Sequence, residues 1–233
     1  MSTPGKADAV RAMFTRIAGR YDLMNSVMTG GRHHAWRRIA AAAVADAPDG
    51  PALDLATGTG DLALALRAAS PRRSVVGADF SRGMLRHARR KLRARGERRV
   101  LLLAADALAL PFPDRTFACV TSAFLLRNLA DLSGGLAEMR RVTMPGGLVA
   151  SLEIMRPDVP GWGAVFGFYF NRVVPLVGAL VAGDRAAYTY LPRSVERFVT
   201  PRELTRLLEQ AGLRDVGYRR LGLGTIAIHV GRV

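Results

Sequence analysis

The sequence predicts an α/β fold with a mostly parallel sheet, on three observations. Short apolar segments alternate with segments of helical periodicity along most of the 233 residues. The apolar segments lack polar alternation, which is typical of strands buried on both faces of a parallel sheet. A glycine turn, Gly58-Thr59-Gly60, follows the first apolar segment and precedes a helical pattern, as at the nucleotide-type sites of α/β proteins.

Helical patterns come first along the chain. Apolar residues recur at helical spacing over residues 7–28, and Gly19 and Asn25 interrupt them, which predicts one or two short helices. Residues 34–47 predict another helix, which a turn at Asp49-Gly50-Pro51 ends.

Strands and helices then alternate up to the C-terminus. Strands are predicted at residues 51–57, 74–80, 100–105, 117–124, 148–154, 215–222 and 224–231. Helices are predicted at residues 61–69, 82–95, 131–142 and 201–211. Pro145-Gly146-Gly147 predicts a turn before the fifth strand, and Gly222 and Gly224 predict that the last two strands form an antiparallel pair.

Residues 156–192 interrupt this alternation with two apolar runs. Together the runs approach the length of a membrane span, but Asn171, Arg172 and Pro175 lie near their centre, where a charge is costly in lipid. We therefore expect a helical insertion that is buried or forms a lid, with a surface suited to a lipid-like substrate.

These patterns predict a single domain over residues 1–233 with four parts. They are an N-terminal helical cover at residues 1–50, a cofactor-binding core at 51–155, an acceptor-side insertion at 156–200 and a C-terminal helix and hairpin at 201–233.

Composition restricts the partners and the compartment. The net charge is +15, and all but two of the 34 basic residues are arginine, which favours an anionic partner such as a nucleic acid or a membrane surface. The densest basic run, residues 82–99, has no interleaved aromatic residues, which disfavours nucleic acid; its simplest interpretation is a solvated helix face. The single Cys119 excludes a disulfide framework, and the N-terminus lacks a signal-peptide pattern, so we expect a cytoplasmic protein.

Acidic residues at the ends of three successive strands point to the cofactor. The glycine spacing alone fits NAD as well. Asp54, inside the first strand, can meet the cationic amino group of S-adenosylmethionine, and a dinucleotide offers no such group there. Asp79 follows Gly58 by 21 residues, a spacing suited to ribose hydroxyls. Asp106 can accept a hydrogen bond from an adenine amine, so the sequence predicts S-adenosylmethionine and no metal.

Several longer motifs carry a more specific resemblance. They are Tyr21-Asp22-Leu23-Met24-Asn25, Asp54-Leu-Ala-Thr-Gly-Thr-Gly-Asp61, Leu110-Pro-Phe-Pro-Asp114, Arg127-Asn128 and Tyr190-Leu-Pro-Arg-Ser194. From about Val10 to the C-terminus the chain resembles the quinone-ring C-methyltransferases of menaquinone and ubiquinone biosynthesis. The resemblance implies a seven-stranded, Rossmann-like methyltransferase sheet with a reversed final hairpin. It also implies methyl transfer from S-adenosylmethionine to a ring carbon of a polyprenylated quinol.

The resemblance also assigns residues to roles. The implied cofactor contacts, with those expected from the strand ends, are Asp54, Gly58, Thr59, Gly60, Asp79, Asp106 and Ala107. The serine that the family carries in its fourth strand falls at Ala123 here, with Ser122 one position earlier.

On the acceptor side, Arg127 is expected to stabilise the phenolate and Asn128 to orient a ring oxygen, while water or Tyr21 relays the proton. The residues expected to cover or bind the acceptor are Asp22, Asn25, Phe166, Tyr169 and Tyr190, with Phe168, Phe170 and Val173 as further groove residues. The alternative for Arg127 is a structural ion pair, and for the tyrosine and acidic positions capping and packing. We expect surface roles for His33 and His34.

The favoured reaction is therefore demethylmenaquinol to menaquinol, the last step of menaquinone biosynthesis. Methylation of a 2-polyprenyl-6-methoxy-benzoquinol in ubiquinone biosynthesis is the alternative within the family. Outside it, an RNA or DNA methyltransferase is disfavoured because the chain lacks a base-methylation motif, and a non-catalytic lipid-binding relative is disfavoured by the intact Asp54, Asp79 and Arg127. We expect a peripheral protein at an anionic membrane surface, and the sequence leaves a homodimer open.

Overall fold

The α/β prediction is confirmed by a computed structural model that describes residues 5–157, 163, 167–178 and 184–233. Its seven strands form one sheet in the order β3-β2-β1-β4-β5-β7-β6. The strands are β1 Ala52–Leu55, β2 Val75–Asp79, β3 Val100–Ala104, β4 Phe117–Ala123, β5 Thr143–Ile154, β6 Arg214–Leu221 and β7 Ile226–Arg232.

Nine α-helices are described alongside the sheet. They are α1 Lys6–Ile17, α2 Tyr21–Thr29, α3 Arg32–Ala42, α4 Asp61–Ala69, α5 Arg82–Ala94, α6 Leu132–Val142, α7 Val174–Val177, α8 Arg185–Glu196 and α9 Pro201–Gln210. A 3-10 helix, Leu126–Asn128, follows β4, and a π-helix, Tyr169–Val173, precedes α7. Residues 7–28 thus contain two helices. The predicted helix at 34–47 ends early because residues 44–47 continue as tight turns.

The pairing of the strands creates the edge at which a ligand can bind. Strand β1 is parallel to both β2 and β4, and β4 is parallel to β5, so the carboxyl ends of these strands meet at one edge. Strand β7 runs antiparallel between β5 and β6, as predicted for the final hairpin. The order of the strands reverses between β1 and β4, because β2 and β3 extend the sheet on one side of β1 and β4 and β5 extend it on the other; open α/β folds bind ligands at such a point.

The predicted turn at Pro145-Gly146-Gly147 is wrong, because the strand runs through it. Strand β5 begins at Thr143, which pairs with Phe117, and the register shifts before the ladder resumes between Leu148 and Cys119. A Cβ atom at Gly147 would lie 2.7 Å from the backbone oxygen of Ala118. The glycine therefore permits a close approach of two strands at a bulge.

Two apolar clusters cover the faces of the sheet, and a third joins the N-terminal helices to the insertion. The third cluster contains Met13, Ile17, Met24, Met84, Val174 and Tyr188, all buried. It places the helical cover and the described part of the acceptor-side insertion against each other, above the carboxyl edge of the sheet. Among the described residues, no helix combines the length and apolar character needed to cross a bilayer.

Candidate active site

The backbone after β1 and β4 is strained at two neighbouring points. Ala56 has a φ of +57° and Phe124 a φ of +62°, in the left-handed region that residues other than glycine seldom adopt. Ala56 lines a small cleft of about 50 Å³, and Phe124 lines a larger cavity of about 410 Å³. Strain of this kind concentrates at functional sites, where it aims the chain at a ligand.

The glycine turn is tied to the end of β2 by backbone hydrogen bonds. Gly58 and Gly60 have φ values of +57° and +88°, which glycine adopts without a steric penalty. The Gly58 N–H donates to Asp79 Oδ2 over 2.8 Å, and the Ser81 N–H donates to Asp79 Oδ1 over 2.8 Å. These bonds fix the Asp79 carboxyl in the cleft, while its burial raises its pKa to about 6.

Asp54 is a buried acid that lacks part of its hydrogen bonding. The Thr57 hydroxyl donates to Asp54 Oδ2 over 2.6 Å, whereas Asp54 Oδ1 is buried without a hydrogen-bond partner among the described residues. Burial raises the pKa of the Asp54 carboxyl to about 7. The Ser122 hydroxyl, on the adjacent strand, is also buried without a partner. Asp54 is in register with Thr121 and Ser122 with Leu55, so the two side chains lie on opposite faces of the sheet. Buried polar atoms without partners are rare in folded proteins, so Asp54 Oδ1 indicates a site that a polar ligand completes.

The small cleft gathers the predicted cofactor residues of β2 and β3. Asp79, Asp106 and Ala107 line it together, with Asn128 on the opposite wall. Asp106 is exposed, and its Oδ1 accepts a hydrogen bond from the Leu108 N–H over 2.9 Å. Ala123 follows Ser122 at the end of β4 and offers a methyl group in place of the expected hydroxyl.

Asp22 lies at the glycine turn and does not line the large cavity, and its contact with the acceptor stays a prediction. The Thr59 hydroxyl donates to Asp22 Oδ1 over 2.5 Å, and Lys91 Nζ lies 2.5 Å from Asp22 Oδ2. Lys91 also pairs with Asp61 over 2.7 Å. The cation draws both carboxylates toward α5, and Asp22 thereby ties α2 to the turn that follows β1.

The large cavity brings together most of the predicted acceptor residues. Tyr21, Asn25, Arg127, Asn128, Tyr169 and Tyr190 all line it. Its remaining wall is mainly apolar, from Met13, Phe14, Ile17, Trp36, Phe170 and Val174. Phe166 lies outside the described residues. Phe168 is 68% exposed, whereas the neighbouring Tyr169 and Phe170 line the cavity, so a contact of Phe168 with the acceptor stays a prediction.

Arg127 forms a buried ion pair, the alternative that the sequence left open for it, but its partner Glu153 was not predicted. Its Nη1 lies 2.9 Å from Oε2 of Glu153, a residue of β5 with no exposed surface. The Leu126 N–H donates to Glu153 Oε1 over 2.6 Å, and burial raises the pKa of the Glu153 carboxyl. Arg127 Nε is buried without a partner. The only available signal was an acidic residue inside an apolar strand, which is rarely buried unless paired.

Asn128 forms the wall shared by the cleft and the cavity, since it lines both. Its Nδ2 donates to the Phe124 carbonyl over 2.9 Å, and the Tyr190 hydroxyl donates to its Oδ1 over 3.1 Å. The amide is therefore held from two sides, and Tyr190 is placed beside it in the cavity. A group bound in the cleft and one bound in the cavity would meet at this residue.

His33 is buried, contrary to the expected surface role, whereas His34 is exposed. Arg37 donates to His33 Nδ1 over 2.7 Å, so the ring is neutral and its Nε2–H faces the Ser26 hydroxyl at 3.1 Å. Burial and Arg37 lower the pKa of His33 to about 4. Ligand atoms of His33, His34 and Asp61 lie within 4.8 Å of one another, but the cations Arg37 and Lys91 beside them disfavour a metal ion.

Comparisons with known proteins agree with this geometry. A family model described as the ubiE/COQ5 methyltransferase family matches residues 2–233. A demethylmenaquinone methyltransferase from Thermus thermophilus is 48% identical over 219 residues, which cover 94% of this chain and 99% of that protein. A ubiquinone/menaquinone biosynthesis C-methyltransferase UbiE from Desulfotalea psychrophila is 44% identical over 226 residues, covering 97% and 91%.

Solved structures share the fold at low sequence identity. A SAM-dependent methyltransferase from Thermotoga maritima superposes with a TM-score of 0.64 at 18% identity, covering 95% of this chain and 98% of that one. A SAM-dependent methyltransferase from Aquifex aeolicus gives a TM-score of 0.64 at 18% identity, covering 91% and 98%. The sheet and its helices are thus those of this structural class.

Proposed function

Because the chain belongs to the ubiE/COQ5 methyltransferase family, we propose that it methylates a ring carbon of a polyprenylated quinol, with S-adenosylmethionine as the methyl donor. The favoured acceptor is demethylmenaquinol, the substrate class named for the Thermus thermophilus relative. One observation carries the proposal: Asn128 separates a cleft lined by Asp79 and Asp106 from a mainly apolar cavity that contains Arg127.

The residues at the strand ends fit the proposed donor. The buried Asp54 Oδ1 lacks a hydrogen-bond partner among the described residues, as a site for a cationic amino group requires. Asp79 presents a fixed carboxyl suited to ribose hydroxyls, and Asp106 lies where an adenine amine can be bound. When bound, S-adenosylmethionine supplies an electrophilic methyl group on a positively charged sulfur.

Arg127 supplies the electrostatic part of the proposed mechanism. A quinol hydroxyl that loses its proton increases the electron density on the adjacent ring carbon, which makes that carbon nucleophilic. The Arg127 guanidinium lines the cavity and is held by Glu153, so it can stabilise the phenolate without reorganising.

Two tyrosines and an amide orient the ring. Asn128 is fixed by Phe124 and Tyr190, which limits the positions available to a ring oxygen at the wall between cleft and cavity. Burial raises the pKa of the Tyr190 hydroxyl, so it acts as a hydrogen-bond donor at neutral pH. A guanidinium is a poor base, so Arg127 does not accept the proton. The proton that leaves the quinol hydroxyl passes to water or through Tyr21, which lines the same cavity.

A benzoquinol acceptor is a second candidate, because some relatives are named for both ubiquinone and menaquinone biosynthesis. The test is methyl transfer from labelled S-adenosylmethionine to a short-chain demethylnaphthoquinol and to a matched 2-polyprenyl-6-methoxy-benzoquinol, both kept reduced. We expect a kcat/KM at least about tenfold higher for the naphthoquinol, a difference of about 1.4 kcal/mol in transition-state binding. The reverse order would select the benzoquinol, and no transfer to either would contradict the proposed function.

The pKa of Asp54 predicts how donor binding depends on pH. Asp54 is mostly protonated below about pH 7 in the ligand-free protein, and a cationic amino group requires the charged form. Binding at pH 6 must therefore release a proton, and the affinity should fall by up to about tenfold per pH unit below pH 7. Calorimetric titrations in two buffers of different ionisation enthalpy measure the release, which should vanish above pH 8. A pH-independent affinity between pH 5.5 and 8 would contradict the role of Asp54.

We also propose that the mouth of the large cavity meets an anionic membrane. Leu223 lines the cavity and is 68% exposed, and Phe168, beside the lining residue Tyr169, is equally exposed. Arg32 also lines the cavity and is exposed, so apolar and cationic groups lie at one opening. Such a surface suits lipid headgroups around a polyprenyl chain, and the exposed arginines of residues 82–99 add to the attraction.

The expected result is that the protein sediments with phosphatidylglycerol vesicles at low salt and much less with phosphatidylcholine vesicles. Replacing Leu223 by Ser should weaken vesicle binding about 5-fold to 12-fold, since about 1–1.5 kcal/mol of apolar transfer energy is lost. Leu101→Ser is the matched control, because Leu101 is 65% exposed on the edge strand β3 and does not line the cavity. Equal effects of the two substitutions, or no binding to anionic vesicles, would contradict this docking surface.

A further inference from the structure

Arg37 is a buried cation that the preceding mechanism does not use. It lies inside α3 with 5% of its surface exposed, and no carboxylate oxygen among the described residues lies within 4.0 Å of it. A guanidinium removed from water is costly unless an anion or several acceptors compensate it. The described part of the chain supplies only a neutral imidazole and one carbonyl.

The contacts of Arg37 occupy one end of its guanidinium. Nη1 donates to His33 Nδ1 over 2.7 Å and to the His33 carbonyl over 3.1 Å. Nε and Nη2 make no hydrogen bond within the described residues. The guanidinium carbon lies 5.3 Å from the centre of the Phe124 ring, just after β4. His33 and Phe124 therefore fix the side chain at the carboxyl edge of the sheet, with donors to spare.

Two carboxylates near Arg37 also have unused oxygens. Asp54 Oδ1 and Asp61 Oδ2 are both buried without a partner. Arg37 is close enough to each carboxyl to lower its pKa, although burial dominates at Asp54. The middle of α3 therefore brings unpaired donors close to the end of β1 and the start of α4, where two carboxylates have unpaired acceptors among the described residues.

This arrangement is complementary to a zwitterionic amino acid, which carries an ammonium and a carboxylate on one carbon. We propose that Arg37 binds the α-carboxylate of the methionine part of the donor, opposite the acids that receive its ammonium group. The assignment rests on the proposed function, because it presumes the same donor. Arg37 would then be a specificity-determining residue that distinguishes S-adenosylmethionine from analogues without a carboxylate.

The test compares S-adenosylmethionine with decarboxylated S-adenosylmethionine, which keeps the sulfonium, the amine and the adenosine. Calorimetric titration of the ligand-free wild-type protein should give at least about 30-fold weaker binding of the decarboxylated ligand, as for loss of one partner of a buried charge pair. Arg37→Met should weaken binding of S-adenosylmethionine by a similar factor and leave the decarboxylated ligand within about threefold. Arg37→Lys keeps a charge but not the planar fork, so its affinity for S-adenosylmethionine should lie between those of the wild-type protein and Arg37→Met.

Arg38→Met is the matched control, because Arg38 is the exposed neighbour on the same helix, and it should leave both affinities unchanged. If Arg37 only supports the fold, its replacement will lower the affinities for both ligands by the same factor, which would overturn the assignment. Equal wild-type affinities for the two ligands would overturn it without any variant, even if Arg37→Met failed to fold. Binding of neither ligand by the wild-type protein would contradict the proposed function itself, and the assignment with it.

Discussion

Replacing Asp54 by Asn is expected to stabilise the ligand-free protein and, at the same time, to weaken donor binding severely. The Asp54 carboxyl is 1% exposed, and burial raises its pKa from 3.8 to about 7. Ionisation of Asp54 is therefore less favourable in the folded than in the unfolded protein. The resulting loss of folding stability grows as the pH rises from about 4 to about 7 and stays constant above that. A shift of this size corresponds to the order of 2–4 kcal/mol at pH 8.

An asparagine keeps part of the local bonding. Its carbonyl oxygen can still accept from the Thr57 hydroxyl, while its amide nitrogen takes the place of the unpaired Oδ1. Burial of this NH₂ group without acceptors costs about 1–2 kcal/mol, which offsets part of the stability gained by removing the buried charge. We therefore expect a rise in melting temperature of about 3–6 °C at pH 8, shrinking as the pH falls toward 5.

Donor binding should change in the opposite direction. Loss of the charge that faces the ammonium group should weaken binding of S-adenosylmethionine by about 30-fold or more at pH 8. Differential scanning fluorimetry with and without the ligand measures both effects in one experiment. The control is Asp114→Asn, since Asp114 is 69% exposed in its pair with Arg141, and it should change neither quantity. A lower melting temperature with unchanged donor affinity would show that Asp54 serves the fold instead.

The three acids show which part of the site the sequence could predict. Asp54, Asp79 and Asp106 each follow or end an apolar strand, and parallel strands bring their carboxyl ends to one edge. Their proximity therefore follows from the fold class, without knowledge of any side-chain contact. The glycine turn was predictable for the same reason, since its backbone angles require glycine at Gly58 and Gly60.

The contacts that sequence reasoning missed depend on tertiary pairing. Asp22 was expected to cover the acceptor site together with Tyr21 and Asn25 because of the family resemblance, whereas the structure places it at the glycine turn. Its partners are Thr59 and Lys91, 37 and 69 positions away, and no local pattern links such positions. Glu153 was missed similarly, because its pairing with Arg127 requires β4 and β5 to be neighbours in register.

The Arg127–Glu153 pair carries the second large prediction. Glu153→Gln leaves the Arg127 guanidinium, whose side chain is 7% exposed, without a counterion. Removing one partner of a buried ion pair typically costs about 3–5 kcal/mol, so the melting temperature should fall by about 6–15 °C. Arg127→Met should cost less stability, because Glu153 already has a raised pKa and can become protonated. Circular dichroism melts of the two variants test this order.

Activity should follow the reverse order. Arg127→Met removes the cation proposed to stabilise the phenolate, so kcat should fall by about 10²–10³ with a smaller change in KM. Glu153→Gln keeps the guanidinium but loosens its position, for which we expect a loss of about tenfold to 100-fold in kcat. Asp8→Asn is the control, because Asp8 and its partner Arg11 are both more than half exposed, and it should cost less than about 1 kcal/mol and no activity.

The double variant separates the structural role from the catalytic one. With both charges gone, no unpaired ion remains, so Arg127→Met with Glu153→Gln should be more stable than Glu153→Gln alone. Its activity should nevertheless stay as low as that of Arg127→Met, because the cation is still missing from the cavity. Stability would then be strongly non-additive while the loss of kcat is set by Arg127 alone. If the double variant regained activity together with stability, Arg127 would be a structural partner of Glu153, and the phenolate would be stabilised by another group.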